Sequence, residues 1–231
     1  MKYILRLVVY LAIFFLSFSV FAVLVTGIVP VTVTPLKFVR LFGNEDFGLS
    51  SKWVSLDRIS EPMVRAAIAS EDGEFLSHYG FNFKAIRKAI EEHKKGKRLR
   101  GASTVSQQTA KNVFCFPSRS WFRKGVESWF TVLIETFWSK ERIMEVYLNI
   151  AETGIGMYGV EVAAQKFYSK PASELNTYEA AMIITAFPNP RVMSIARPSA
   201  YMNARAAHVR RNMANLGKVD IKAGRRKNPK E

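Results

Sequence analysis

Residues 7–29, LVVYLAIFFLSFSVFAVLVTGIV, run for 23 positions without a charge. A helix that crosses a bilayer needs roughly 20 predominantly apolar residues, so this run reads as an uncleaved transmembrane anchor. A cleaved signal peptide is the alternative. Its apolar core is usually about 7–15 residues, and no small-x-small site followed by a polar start is found here. Charge does not decide orientation, because Lys2 and Arg6 flank one end while Lys37, Arg40 and Lys52 lie beyond the other. Cys115 is the single cysteine, so no intramolecular disulfide forms, and one cysteine with three scattered histidines makes no recognisable zinc site.

The rest of the chain reads as mostly α-helical, with few strand signals and no internal repeat. Residues 1–29 are expected to be the transmembrane anchor with a short cytoplasmic N-terminus, 30–55 a membrane-proximal linker with a short extended segment, 56–217 a helical domain, and 218–231 a basic disordered tail. Val31, Val33, Pro35 and Phe38 are placed against the membrane, and the Val31–Phe47 region is expected to reach the headgroup layer. Ser60-Glu61-Pro62 carries the cap, acid and proline that open a helix, and Asn82 caps a second one, in which Ile86 and Ile90 share a face. Thr104 and Gln107 stand at capping-box spacing at the start of a third. A long helix begins at Ser118-Arg119-Ser120-Trp121 and runs to about Phe137; Ser139 caps the next, Lys140 to Ile150. Further helices follow over Val160–Phe167, Ala180–Phe187 and Ser199–Leu216.

The formal net charge is +15, much of it in the run from Lys94 to Arg100 and in the tail from Lys218 to Lys230. Nucleic acid is the generic partner of so basic a chain. For an anchored chain, anionic headgroups and phosphorylated lipids fit better.

Candidate chemistry begins with Ile68-Ala69-Ser70-Glu71-Asp72-Gly73-Glu74-Phe75-Leu76-Ser77-His78-Tyr79-Gly80, where three carboxylates fall within four residues. The ordinary account is a helix C-terminus with solvated acids. Met63, Val64, Ala67 and Ile68 instead lead into them at helical spacing, so at least one acid is expected to be half-buried and usable as a proton acceptor. Downstream, Thr104, Gln108 and Lys111 share one helical stripe after a small-residue entry. Hydroxyls, free backbone N–H groups and a lysine on one face make a phosphate cradle, with a hydrophilic helix face as the plain alternative. Arg123 and Glu127 form an i, i+4 pair amid aromatic residues, where a surface salt bridge is the plain account.

Taken in order, these residues resemble the peptidoglycan glycosyltransferases of family 51. The resemblance rests on Glu71-Asp72…Phe75…His78…Gly80, Gly101…Ser103-Thr104…Gln107-Gln108…Lys111-Asn112, Arg123-Lys124…Glu127, Ser139-Lys140…Arg142-Ile143…Glu145…Tyr147-Leu148-Asn149, and Gly156…Tyr158-Gly159-Val160-Glu161…Ala163-Ala164. It spans about Ser60 to Pro190, and with no second enzymatic domain after residue 217 the chain looks like the monofunctional form. It implies a lysozyme-like, two-lobed helical domain with a cleft opening near the membrane. The implied substrates are lipid II and the growing glycan, both carried on undecaprenyl diphosphate and joined through β-1,4 links.

Carried over position by position, Glu71 is the general base and Glu127 a second carboxylate in the donor site. Lys111, Arg119, Arg123 and Lys124 hold the diphosphate. Thr104, Gln108 and Asn112 line the cleft, with Ser103 and Gln107 counted among the substrate-binding set, and Asp72, Phe75 and His78 shape the first block. No cofactor is required on this reading, although a divalent cation, Mg or Mn, is admitted at the diphosphate. The implied partners are lipid II, the lipid-linked glycan, the bilayer and other cell-wall synthesis or division proteins, with no nucleic acid. The implied location is the bacterial inner membrane, single-pass, with the catalytic domain on the periplasmic or extracellular side.

Three positions depart from the family pattern. Gly73 stands where a larger polar residue is usual, Phe167-Tyr168 reverses a common aromatic order, and Trp129-Phe130 is bulkier than usual. None removes a charge the chemistry needs. A glycan-cleaving hydrolase or lytic transglycosylase is one rival reading, disfavoured because cleaving an uncharged bond needs no cationic cluster. A non-catalytic basic membrane scaffold is the other.

Overall fold

In the computed structural model, residues 2–43, 49–96, 101, 103–222 and 225–226 are described. Ten helices follow one another among them: α1 (Lys2–Ile28), α2 (Pro35–Phe42), α3 (Glu61–Glu71), α4 (Phe83–Lys94), α5 (Val105–Phe114), α6 (Trp121–Phe137), α7 (Lys140–Ile150), α8 (Val160–Tyr168), α9 (Thr177–Ala186) and α10 (Ala200–Leu216). Two single-turn 3-10 helices (Leu56–Arg58 and Ala172–Glu174) and five two- or three-residue strands accompany them: β1 (Ser50–Ser51), β2 (Glu152–Gly154), β3 (Met157–Tyr158), β4 (Val219–Asp220) and β5 (Arg225–Arg226). β3 lies centrally, parallel to β1 and antiparallel to β2.

Helix starts follow local chemistry. Ser60, Asn82, Ser120, Ser139 and Ser199 each accept a hydrogen bond from the backbone N–H three residues on. Thr104–Gln107 and Asn176–Glu179 form reciprocal capping boxes. The core is centred on α9, whose residues from Ala180 to Ala186 are all buried, with α3 and α10 packed on it. A second packed unit joins α5 to α6 and α7. α4 contributes little: Ala89 is its one fully buried residue, and Ile90 faces solvent.

Two polar side chains stitch the first strand region to the domain. Asn149 acts like a strand partner, accepting from the Val54 N–H at 2.9 Å and donating to the Val54 carbonyl at 2.8 Å. Buried Glu161 accepts from Lys52 at 3.0 Å and from the Ala172 N–H at 2.8 Å. Gly159 has φ +87°, and a Cβ there would stand 2.7 Å from the Asn149 carbonyl oxygen, so only glycine fits.

The structure differs from the sequence reading in two stretches. Residues 30–55 are not simply extended. Thr34 caps α2, accepting from the Lys37 N–H at 3.3 Å, and Pro35 occupies the first turn. Val31 turns into the core, while Val33, Phe38, Leu41 and Phe42 are exposed. The segment after residue 217 is not uniformly disordered, because β4 and β5 pair antiparallel and Lys222 meets Asp57 at 3.0 Å. The basic run at 97–100, the last residues of the tail and part of the Val31–Phe47 stretch lie outside the described residues.

Candidate active site

Glu71 ends α3, half-buried, where the helix delivers it against α5. Its Oε2 accepts from Gln108 Nε2 at 3.2 Å and its Oε1 from Ser70 Oγ at 3.0 Å. The Tyr147 hydroxyl stands 3.5 Å from Gln108 Oε1, which turns the amide NH₂ of Gln108 toward the carboxylate. Burial, reinforced by the charges of Glu71 and Asp72, pushes the Tyr147 phenol well above its ordinary range, so it stays a proton donor.

Asp72 turns the other way. It is buried, accepts from the Val105 N–H at 3.0 Å, and pairs with His78 Nε2 at 3.0 Å. The carboxylate thus meets the first free N–H of α5, where the helix dipole favours negative charge. Phe75 is fully buried with the Lys140 ammonium 4.6 Å from its ring centroid. Lys140 donates to the His78 carbonyl at 2.7 Å and pairs with Glu135 at 2.7 Å; Ser106 also bonds Glu135. Gly80, at φ +83°, lets the loop pass Thr131, whose Cγ2 a Cβ would approach to 2.7 Å. Asp72, Phe75 and His78 therefore brace the loop that follows Glu71. Gly73 has nothing within 4 Å of a built Cβ, so a larger residue would fit there.

One turn beyond Gln108, about 4.5 Å along the axis, Lys111 faces a cavity of about 490 Å³. Asn112, Cys115, Arg119 and Arg123 also line it. A smaller cavity of about 150 Å³ shares Lys111 and Asn112 and reaches Gln108 and Tyr147. The smaller cavity thus adjoins the cationic pocket and reaches Gln108, whose amide holds Glu71. Beside the pocket, buried Glu127 pairs with Arg123 at 2.6 Å and with Lys124. Crowding by protein lowers the Lys111 pKa; the Glu127 carboxylate opposes this, and the Arg123 and Lys124 charges add to it. The Cys115 thiol is pushed up to about 11, chiefly by burial, and stays protonated.

The site so built joins Glu71, Gln108, Lys111, Asn112, Arg119, Arg123, Lys124 and Glu127. It leaves out two expected substrate contacts. Thr104 and Gln107 are buried, their side chains spent on the capping box and on a 2.6 Å bond from Thr104 to the Gly80 carbonyl. Ser103 is exposed in the loop just before them. Three residues take their place at the site only through the fold. Arg205, from α10, comes to 3.9 Å of Glu71; Tyr147 orients Gln108; Leu36, from α2, lines both cavities. The Tyr147-Leu148-Asn149 block was the one available signal.

The sequence profile of the transglycosylase family matches residues 40–214. This chain belongs to that family. The transglycosylase is 47% identical over 205 residues to the biosynthetic peptidoglycan transglycosylase of Bdellovibrio bacteriovorus, covering 87% of this chain and 82% of that one. It is 48% identical over 216 residues to the protein of the same name from Bacteroides thetaiotaomicron, covering 92% and 87%. A third, from Escherichia coli, is 46% identical over 218 residues, covering 94% and 90%. The transglycosylase fold is mostly α and lysozyme-like, preceded by α1, which is long and apolar enough to cross a bilayer.

Proposed function

We propose that this transglycosylase extends peptidoglycan glycan strands by direct displacement, with Glu71 as general base and the Lys111–Arg123 pocket as diphosphate clamp. Polymerisation of glycan chains in cell-wall synthesis is the activity its family membership carries. One observation supports the assignment of roles: Gln108, which holds Glu71 at 3.2 Å, lies one helical turn from Lys111 in the cationic cavity.

A sugar 4-hydroxyl is a weak nucleophile. As its oxygen attacks the anomeric carbon of the donor glycan, its proton passes to Glu71. The anomeric carbon–oxygen bond breaks as the new bond forms, and the electron pair leaves on the lipid diphosphate. Lys111, Arg119 and Arg123 meet that growing charge, and they are arranged before it develops. A single displacement inverts the α-linked diphosphate into a β-1,4 glycoside. Glu127 holds Arg123 and Lys124 in place, since a buried carboxylate between two cations serves orientation better than proton transfer.

Among the described residues no group of three or more His, Cys, Asp or Glu is placed to hold a metal. A divalent cation such as Mg or Mn at the diphosphate stays part of this proposal. The acceptor is lipid II, the donor the lipid-linked strand, and the working surface the outer face of a bacterial inner membrane. Cell-wall synthesis or division proteins are the partners proposed beside them.

Incubation of the purified full chain with labelled lipid II should yield polymer that lysozyme digests. Unchanged lipid II, or lipid II cleaved without chain growth, would overturn the reading.

A further inference from the structure

Trp129, on α6, points to the anchor. On α1, residues 3–18 are exposed, whereas Ser19 and Val23 are buried and Val20, Ala22, Thr26 and Gly27 half-covered on the same stripe. Trp129 Nε1 donates to Ser19 Oγ at 3.0 Å, and Ser19 donates to the Leu16 carbonyl at 2.8 Å. Trp138 Nε1 donates to the Val23 carbonyl at 2.8 Å. A Cβ on Gly27 would stand 2.8 Å from that same indole nitrogen. At the end of α1, Arg142 donates to the Thr26 carbonyl at 2.8 Å and also to the Val29 carbonyl.

A tether needs only an apolar run of sufficient length. Matched indole and guanidinium donors, a small-residue stripe and a glycine flush against a ring instead make a seat with one register. The seat adjoins the donor pocket. Trp138 lies 6.3 Å from Phe114, and Phe114 stacks on Phe130 at 4.2 Å with ring planes 7° apart. Phe114 is the last residue of α5, one turn after Lys111, and Phe130 is on α6 with Arg123 and Glu127.

We propose that α1 is a structural part of the donor site: docked through Trp129, Trp138 and Arg142, it sets α5 against α6 and so positions Lys111 relative to Arg123 and Glu127. Ser19, Gly27, Trp129 and Trp138 are positioning residues, and the proposal rests on the donor-site reading above. Packed rings passing from one helix to the next supply the physical continuity such coupling requires.

The test uses the full chain and a water-soluble, short-chain lipid II analogue, for which confinement to a bilayer contributes nothing. Gly27→Leu wedges the seat open while leaving the anchor apolar; Trp129→Phe removes one N–H and keeps a ring. Both are expected to lower kcat/KM on the analogue, Gly27→Leu by about tenfold. The alkaline limb of the rate should move toward that of an ordinary lysine as the packing around Lys111 and its neighbouring cations loosens. Amide hydrogen exchange over residues 105–138 should quicken in both variants. Parental kinetics, pH profile and exchange in the two variants would show that α1 is a tether only and overturn the proposal. Slower turnover with an unmoved alkaline limb and unmoved exchange would overturn it too. A parental chain that polymerises no lipid II would sink the donor-site reading instead, and exchange at α5 and α6 would still decide whether the seat sets their register.

Discussion

Glu71 and its neighbour Asp72 show how two adjacent carboxylates acquire opposite tasks. Asp72 is spent on the Val105 N–H and His78, whereas Glu71 keeps a half-open position with a neutral amide on one oxygen. Glu71→Gln removes the proton acceptor while retaining shape, and polymerisation of lipid II should fall by roughly 10²–10⁴-fold, read as initial rates at saturating substrate. Lys111 supplies the pH signature. On the proposed reading its charged form holds the diphosphate, and crowding by surrounding protein lowers its pKa. Activity is therefore lost as pH rises through a value below that of an ordinary lysine. Lys111→Arg should retain part of the rate and carry the alkaline limb upward, because a guanidinium stays protonated throughout that range. A kcat/KM profile whose alkaline limb is the same in both proteins would count against this assignment.

Helices α3, α5, α6 and α7 hold the site through polar crossings as well as through packing. The densest crossing is Lys140, from α7, which reaches Glu135 on α6, the His78 carbonyl and the face of Phe75. Removing one partner of a buried pair leaves the other charge uncompensated. Glu135 is only 6% exposed at its side chain, so Lys140→Ala should destabilise the fold by about 3–5 kcal/mol, measured by denaturant unfolding. Had Lys140 been a solvated surface cation, the loss would stay within about 1 kcal/mol. Helix starts were readable because capping is local: Ser60, Asn82, Thr104 and Ser139 each sit within three residues of the N–H they satisfy. Helix α2 carries the same kind of signal in Thr34-Pro35, but the exposed apolar residues around it mask the helical pattern and resemble a membrane-side extended segment.

For the molecule as a whole, α1 is long and apolar enough to cross a bilayer. On the proposed function it would hold enzyme and lipid-linked substrate in one thin layer, raising effective concentration without new contacts. Deletion of residues 1–29 should therefore lower the rate on lipid II in membranes far more than on a short-chain analogue. The residual loss on the analogue measures the seat of α1 on α6 alone. Equal losses on the two substrates would remove confinement from the account.

The 23-residue uncharged run, the helix caps and the ordered acid, amide and cation blocks were all legible from the chain, since each depends on spacing within a few residues. Which of those residues face the cleft was not. Thr104 and Gln107 share a block with Gln108 and Lys111, yet the first two close a cap inward while the others look outward, a division set by helix rotation against Asp72 and Gly80. Arg205 beside Glu71, and Trp129 and Trp138 against α1, join residues far apart in the chain. Such pairings arise only when packed helices bring distant polar groups within hydrogen-bond reach, and no local pattern encodes that distance.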